Sequence, residues 1–73
     1  MRFWLSRDRH GLYMLTYLKP EKHRILGTRE FDFYVPPGDP IGVRHLCPGG
    51  IKAAFGVEIE IGEQVEIKRE FLP

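Results

Sequence analysis

Three aromatic residues, Trp4, Tyr13 and Tyr17, stand near the start of the chain among Arg2, Arg7, Arg9, Lys19 and Lys22. Such rings stack on nucleic-acid bases or anchor protein interfaces, and the cations beside them meet phosphates or acidic protein surfaces. This pairing of types makes Trp4, Arg7, Arg9, Tyr13, Tyr17, Lys19 and Lys22 the candidate binding residues. If Leu12, Met14 and Leu18 turn to a core with Phe3 and Leu5, strand alternation puts Trp4, Tyr13 and Tyr17 together on the opposite face. The competing expectation is that a sheet packed on both faces buries the same rings.

Other chemistry is sparse. Cys47 precedes the start of a helix, where free amides lower a thiol pKa, and His45 lies two residues before it. Pro48 removes one of those amides, and Ile51 stands where an anion-binding loop would want a polar side chain. Cys47 is therefore expected to be a small buried hydrophobe that thiol reagents modify slowly. The lone cysteine excludes an internal disulfide, and its spacing to His10, His23 and His45 fits no common zinc pattern. Gly49-Gly50 lacks the lysine and spacing of a phosphate loop. Glu58, Glu60, Glu66 and Glu70 alternate along strands and read as a solvated face, with a decoy surface for a basic, nucleic-acid-binding target as the sharper alternative. No catalytic residue, metal ligand or cofactor site is expected.

Charge is distributed unevenly. Residues 1–29 carry seven basic and two acidic side chains, residues 30–73 four basic and eight acidic, so the net charge of +1 hides a dipolar sequence. A marginal 73-residue domain with this split is expected to gain from a homodimer in which basic and acidic halves meet. A hydrophobic content of 42% with 29% charged residues describes one folded domain, residues 1–73. No apolar run reaches the roughly 18 residues of a membrane span, and the start is too short for a signal sequence, so a cytoplasmic location without membrane contact is expected.

The elements that must position these residues follow from pattern. Residues 2–6 and 12–18 are strands of a hairpin turning at 7–11, with Gly11 at the turn's end. Residues 19–23 break the pattern with Pro20 and charges and read as a connection. A third strand begins near 24–28, with Gly27 as a bulge, and runs on through 29–35, where Phe31, Phe33 and Val35 alternate with Glu30, Asp32 and Tyr34. Pro36, Pro37 and Pro40 impose a loop to about Gly42. Residues 43–46 are ambiguous. Residues 48–55 form a short helix with Pro48 at its first position, Ile51, Ala54 and Phe55 on one face, and Gly56 as its left-handed cap. Residues 57–61 and 65–69 then pair through a Gly62-Glu63 turn. The result is an α+β fold, a small antiparallel sheet of about five strands in the order β-β-β-α-β-β with one short helix. A partly open OB-like small barrel is the alternative, because it shares that element order.

The opening Arg2-Phe3-Trp4-Leu5-Ser6-Arg7-Asp8-Arg9-His10-Gly11-Leu12-Tyr13-Met14-Leu15, the Lys19-Pro20 step and the closing Phe55-Gly56-Val57-Glu58-Ile59 and Val65-Glu66-Ile67 resemble small uncharacterised proteins encoded by bacteriophages and prophages. That resemblance implies a mobile-element accessory protein, a class that often binds host machinery, including defence systems. The resulting expectation is a small non-enzymatic protein that inhibits or occupies a host or counter-defence target surface. A single-stranded nucleic-acid-binding module using the basic, aromatic hairpin is the alternative.

Overall fold

The computed structural model of the chain describes residues 2–68, and its first turn is built on Asp8. The Asp8 Oδ1 accepts the N–H groups of His10 (2.8 Å) and Leu12 (3.0 Å), and the Asp8 N–H donates to the Leu12 carbonyl (2.8 Å). Gly11 completes the turn at φ 84°, a conformation that favours glycine. The turn joins strand β1 (Arg2–Arg7) to strand β2 (Tyr13–Thr16). It sets the register Trp4↔Thr16, Leu5↔Leu15, Ser6↔Met14 and Arg7↔Tyr13. The hairpin forms as expected, but residues facing each other across a ladder share a face, so Tyr13 lies with Leu5 and Arg7 while Trp4 lies with Thr16. The expected grouping of Trp4, Tyr13 and Tyr17 on one face is thereby corrected. It required a turn with one residue more or fewer.

Strands β3 (Glu21–Arg24), β4 (Phe31–Tyr34) and β5 (Val43–Leu46) come next, then helix α1 (Pro48–Phe55) and strand β6 (Gln64–Lys68). Four strands form an open antiparallel sheet in the order β5-β2-β1-β6, and β3 and β4 form a separate two-stranded ribbon. The fold is the expected small α+β class. The barrel alternative fails because β5 and β6 are the outer strands of the sheet and are not joined.

Several elements differ from expectation. The charged stretch expected as a connection is β3, which is exposed along its whole length and so needs no apolar alternation. Arg24 ends β3, and residues 25–30 are the ribbon's turn instead of a bulged strand: Ile25 N–H donates to the Glu30 carbonyl (2.8 Å), and Gly27 takes φ 79°. The ambiguous stretch is β5, whose pairing to β2 slips between Tyr13 and Leu15 while His45 adopts φ 61°. A bulge of this kind bends a sheet edge away from further pairing.

Residues 57–60 join no ladder, and Ile61 already belongs to a turn. The turn centres on Ile61 and Gly62, one residue earlier than the expected Gly62-Glu63, with Glu63 N–H donating to the Glu60 carbonyl (3.1 Å); it closes on β1 through Gly62 N–H to the Arg7 carbonyl (2.9 Å) and Arg7 N–H to the Glu63 carbonyl (3.0 Å). Strand β6 therefore pairs with β1, with Phe3 facing Ile67 and Leu5 facing Val65. Arg69, expected to end this strand, and Glu70 of the expected acidic face lie outside the described residues.

Helix α1 is as expected, with Pro48 in its first turn and Gly56 at φ 67° donating its N–H to the Lys52 carbonyl. It lays Ile51 on one face of the sheet, where Phe3, Leu5, Tyr13, Ile51 and Ile67 form the main core. Val57 and Ile59 pack against the same core, which is why the 57–61 alternation exists without a strand. The opposite face buries Ser6, Met14 and Thr16. Phe33 is only 5% exposed, and a two-stranded ribbon cannot bury a ring unaided. Two tethers hold the ribbon: Arg9 to Glu30 (2.7 Å) and Asp32 (3.8 Å), and Lys22 Nζ to the Gly62 carbonyl (2.8 Å).

Candidate functional site

Two of the expected binding residues are structural. Tyr13 has no solvent exposure; its hydroxyl accepts the Ile59 N–H (2.9 Å) and so pins the segment between α1 and β6 to β2. Arg7 donates from Nε to the Gly11 carbonyl (2.9 Å) and from an Nη to the Ile59 carbonyl (2.7 Å), with its guanidinium 5.3 Å from the centre of the Tyr13 ring. A ring with no exposed surface cannot stack on a partner, so Tyr13 is withdrawn from the candidate surface, and Arg7 with it. Arg9 and Lys22 tether the ribbon, and Lys22 also lies 5.8 Å from the Phe31 and Phe33 ring centres.

Trp4, Tyr17 and Lys19 remain at or near the surface, where β2 ends. The half-buried Trp4 has the Lys19 ammonium 5.3 Å from its ring centre, a cation–π distance. Lys19 also lines a cleft of about 310 Å³ between the end of β2 and the ribbon, together with Leu18, Glu21, His23, Tyr34 and the Pro36-Pro37 wall. Inside it the His23 and Tyr34 rings meet edge to face at 5.6 Å, and His23 Nε2 lies 2.7 Å from a Glu21 carboxylate oxygen. Leu18 and Tyr34 are both exposed, and Lys19 and the Glu21–His23 pair line the cleft with them. Sequence reading reached Lys19 and Tyr17 but missed Leu18, His23 and Tyr34, because the stretch that holds β3 was read as a connection and its pairing with β4 was not expected.

Asp39 holds this arrangement together. Its carboxylate accepts the N–H groups of Tyr17 (3.0 Å), Leu18 (2.8 Å), Ile41 (3.0 Å) and Gly42 (3.0 Å), which clamps the 36–42 loop onto the end of β2. Desolvation pushes its pKa up, but the backbone hydrogen bonds from Leu18, Tyr17, Ile41 and Gly42 outweigh that and hold it below the usual 3.8.

Cys47 is exposed, which corrects the expectation of a buried thiol. It is the residue before α1, where the chain is extended and its side chain makes no capping bond. Among the described residues, no group of three or more His, Cys, Asp and Glu side chains is placed to hold a metal ion. No described helix is long and apolar enough to cross a membrane. No protein-family model, curated protein or solved structure matches the chain.

Proposed function

We propose that this chain is a small non-enzymatic binding protein, a mobile-element accessory factor of the cytoplasm, that occupies the surface of a host or defence-system protein. The observation that carries the reading is the cleft at the end of β2, where Leu18, Tyr34 and Pro37 offer exposed apolar and aromatic surface beside Lys19. Aromatic anchors ringed by polar groups are the usual make-up of protein-interface hot spots.

The nucleic-acid alternative needs a row of accessible rings among free cations. Here Trp4 and Tyr13 occupy opposite faces, Tyr13 is inaccessible, and Arg7 and Arg9 are engaged within the molecule. Those observations favour a protein partner.

A photo-crosslinking residue at position 34, with position 52 on the helix as control, tests this in cells of the source organism. The expected result is a discrete protein adduct from position 34 and none from position 52. An adduct destroyed by nuclease would move the function to nucleic acid. Equal adducts from both positions would end the cleft assignment.

A further inference from the structure

Two turns of this chain carry opposite versions of one pattern. The turn of the β3–β4 ribbon presents Leu26, which is 100% exposed, between Arg24 and Arg29. The turn before β6 presents Ile61, 56% exposed, beside Glu60 and Glu63. An apolar side chain flanked by cations is the complement of one flanked by carboxylates, in charge and in the surface each would bury. None of Arg24, Arg29, Glu60 and Glu63 takes part in an ion pair among the described residues.

Both turns are stiff. In the ribbon turn, Thr28 N–H donates to the Ile25 carbonyl (3.1 Å), the Thr28 hydroxyl bonds the same carbonyl (2.9 Å), and Arg24 Nε donates to the Thr28 carbonyl (2.9 Å). In the other, Glu63 N–H donates to the Glu60 carbonyl (3.1 Å) and Gly62 N–H to the Arg7 carbonyl (2.9 Å). Lys22, four residues before Leu26, donates to the Gly62 carbonyl (2.8 Å) and so links the strand that carries one turn to the other turn. Its ammonium is like-charged to an incoming Arg24 or Arg29, but it is turned onto that carbonyl and shared with the Phe31 and Phe33 rings.

We infer that a second copy of this chain is the partner of these turns: the Arg24-Leu26-Arg29 tip of each copy seats on the Glu60-Ile61-Glu63 turn of the other. A two-fold axis makes both contacts at once, because each copy gives one tip and receives one. The Lys22 link between the two turns lowers the ordering cost of the second contact once the first is made. The cleft beside Lys19 is outside this contact. Two turns per copy cover little area, toward the small end of specific interfaces, so a dimer in the micromolar range is expected.

Sedimentation velocity over a micromolar concentration series in roughly 50 mM salt tests this. The mass is expected to rise toward twice the 8.5 kDa of the chain, and the rise to weaken at high salt. The paired reversals R24E/R29E and E60K/E63K should each weaken association by about tenfold or more, and Leu26→Ala should weaken it without changing its salt dependence. Mixing the two reversed proteins should restore a dimer, because each tip then meets a turn of opposite charge; restoration also shows that both variants are folded. A monomer across the whole series, a dimer indifferent to both reversals, or reversed partners that fail to recover on mixing would each overturn the inference.

Discussion

Asp39 is the residue on which the cleft depends most. Four backbone N–H groups from two segments converge on one carboxylate, which ties the 36–42 loop to the end of β2. Replacing it with Asn removes the charge and is expected to cost about 1 kcal/mol near neutral pH, the low end for a hydrogen-bonded charged group at a partly exposed site. The pH dependence has a definite sign. A carboxyl whose folded pKa lies below its unfolded one contributes stability that is fully present above the ordinary value of 3.8 and is lost as pH falls through the lowered folded value. Denaturant melts of Asp39→Asn and the parent protein should therefore differ at neutral pH and converge in acid below that range. A gap that persists unchanged into strong acid would contradict the clamp.

Cys47 supplies a second check at this scale. An exposed thiol with no capping role should react with a thiol reagent at mildly alkaline pH as fast in the native protein as in denaturant, and Cys47→Ser should stay within about 0.5 kcal/mol of the parent. Protection of the native thiol would restore the buried reading. Lys19 and Tyr17 were legible as candidates from their types, whereas Leu18, His23 and Tyr34 of the cleft and the roles of Arg7 and Tyr13 were not. Arg7 and Tyr13 look like a ligand-binding pair in the sequence, yet both spend their polar groups on the backbone of Ile59, more than forty residues away. Nothing local in the sequence announces that partner.

At the scale of elements, the first hairpin and the helix were legible because their signals are local: β-forming residues around a turn ending at Gly11, and a proline start with a glycine stop. Helix α1 nevertheless depends on burial, since Gly49 and Gly50 weaken it and only Ile51 among its residues is fully buried. Ile51→Ala is expected to cost about 2–4 kcal/mol, the range for a core truncation that leaves a cavity. Thermal melts would check this, and a loss below about 1 kcal/mol would mean that the helix does not carry the core. The second expected hairpin was not legible. Alternation at 57–61 reports that one side is buried, and it is, against the core; it cannot report that the backbone goes unpaired while β6 crosses to β1. Strand β3 was invisible for the opposite reason, because a fully exposed ribbon strand carries no hydrophobic period.

For the whole molecule, the charge split of the sequence does not become two hemispheres. Strand β6 of the acidic portion lies beside β1 of the basic portion, and Arg9 reaches across to Glu30 and Asp32. What survives folding is local: two oppositely charged turns, and a cleft whose lining mixes one cation with aromatic and proline surface. The cleft is the feature on which the proposed function rests. It is tested most directly by affinity capture from the source organism, comparing the parent protein with a Leu18→Ala/Tyr34→Ala variant by quantitative mass spectrometry, both being first shown to melt alike. The parent is expected to retain a discrete protein at defined stoichiometry, nuclease treatment is expected to leave that recovery unchanged, and the variant is expected to lose it. Recovery of the same protein in the same amount by both would contradict the account.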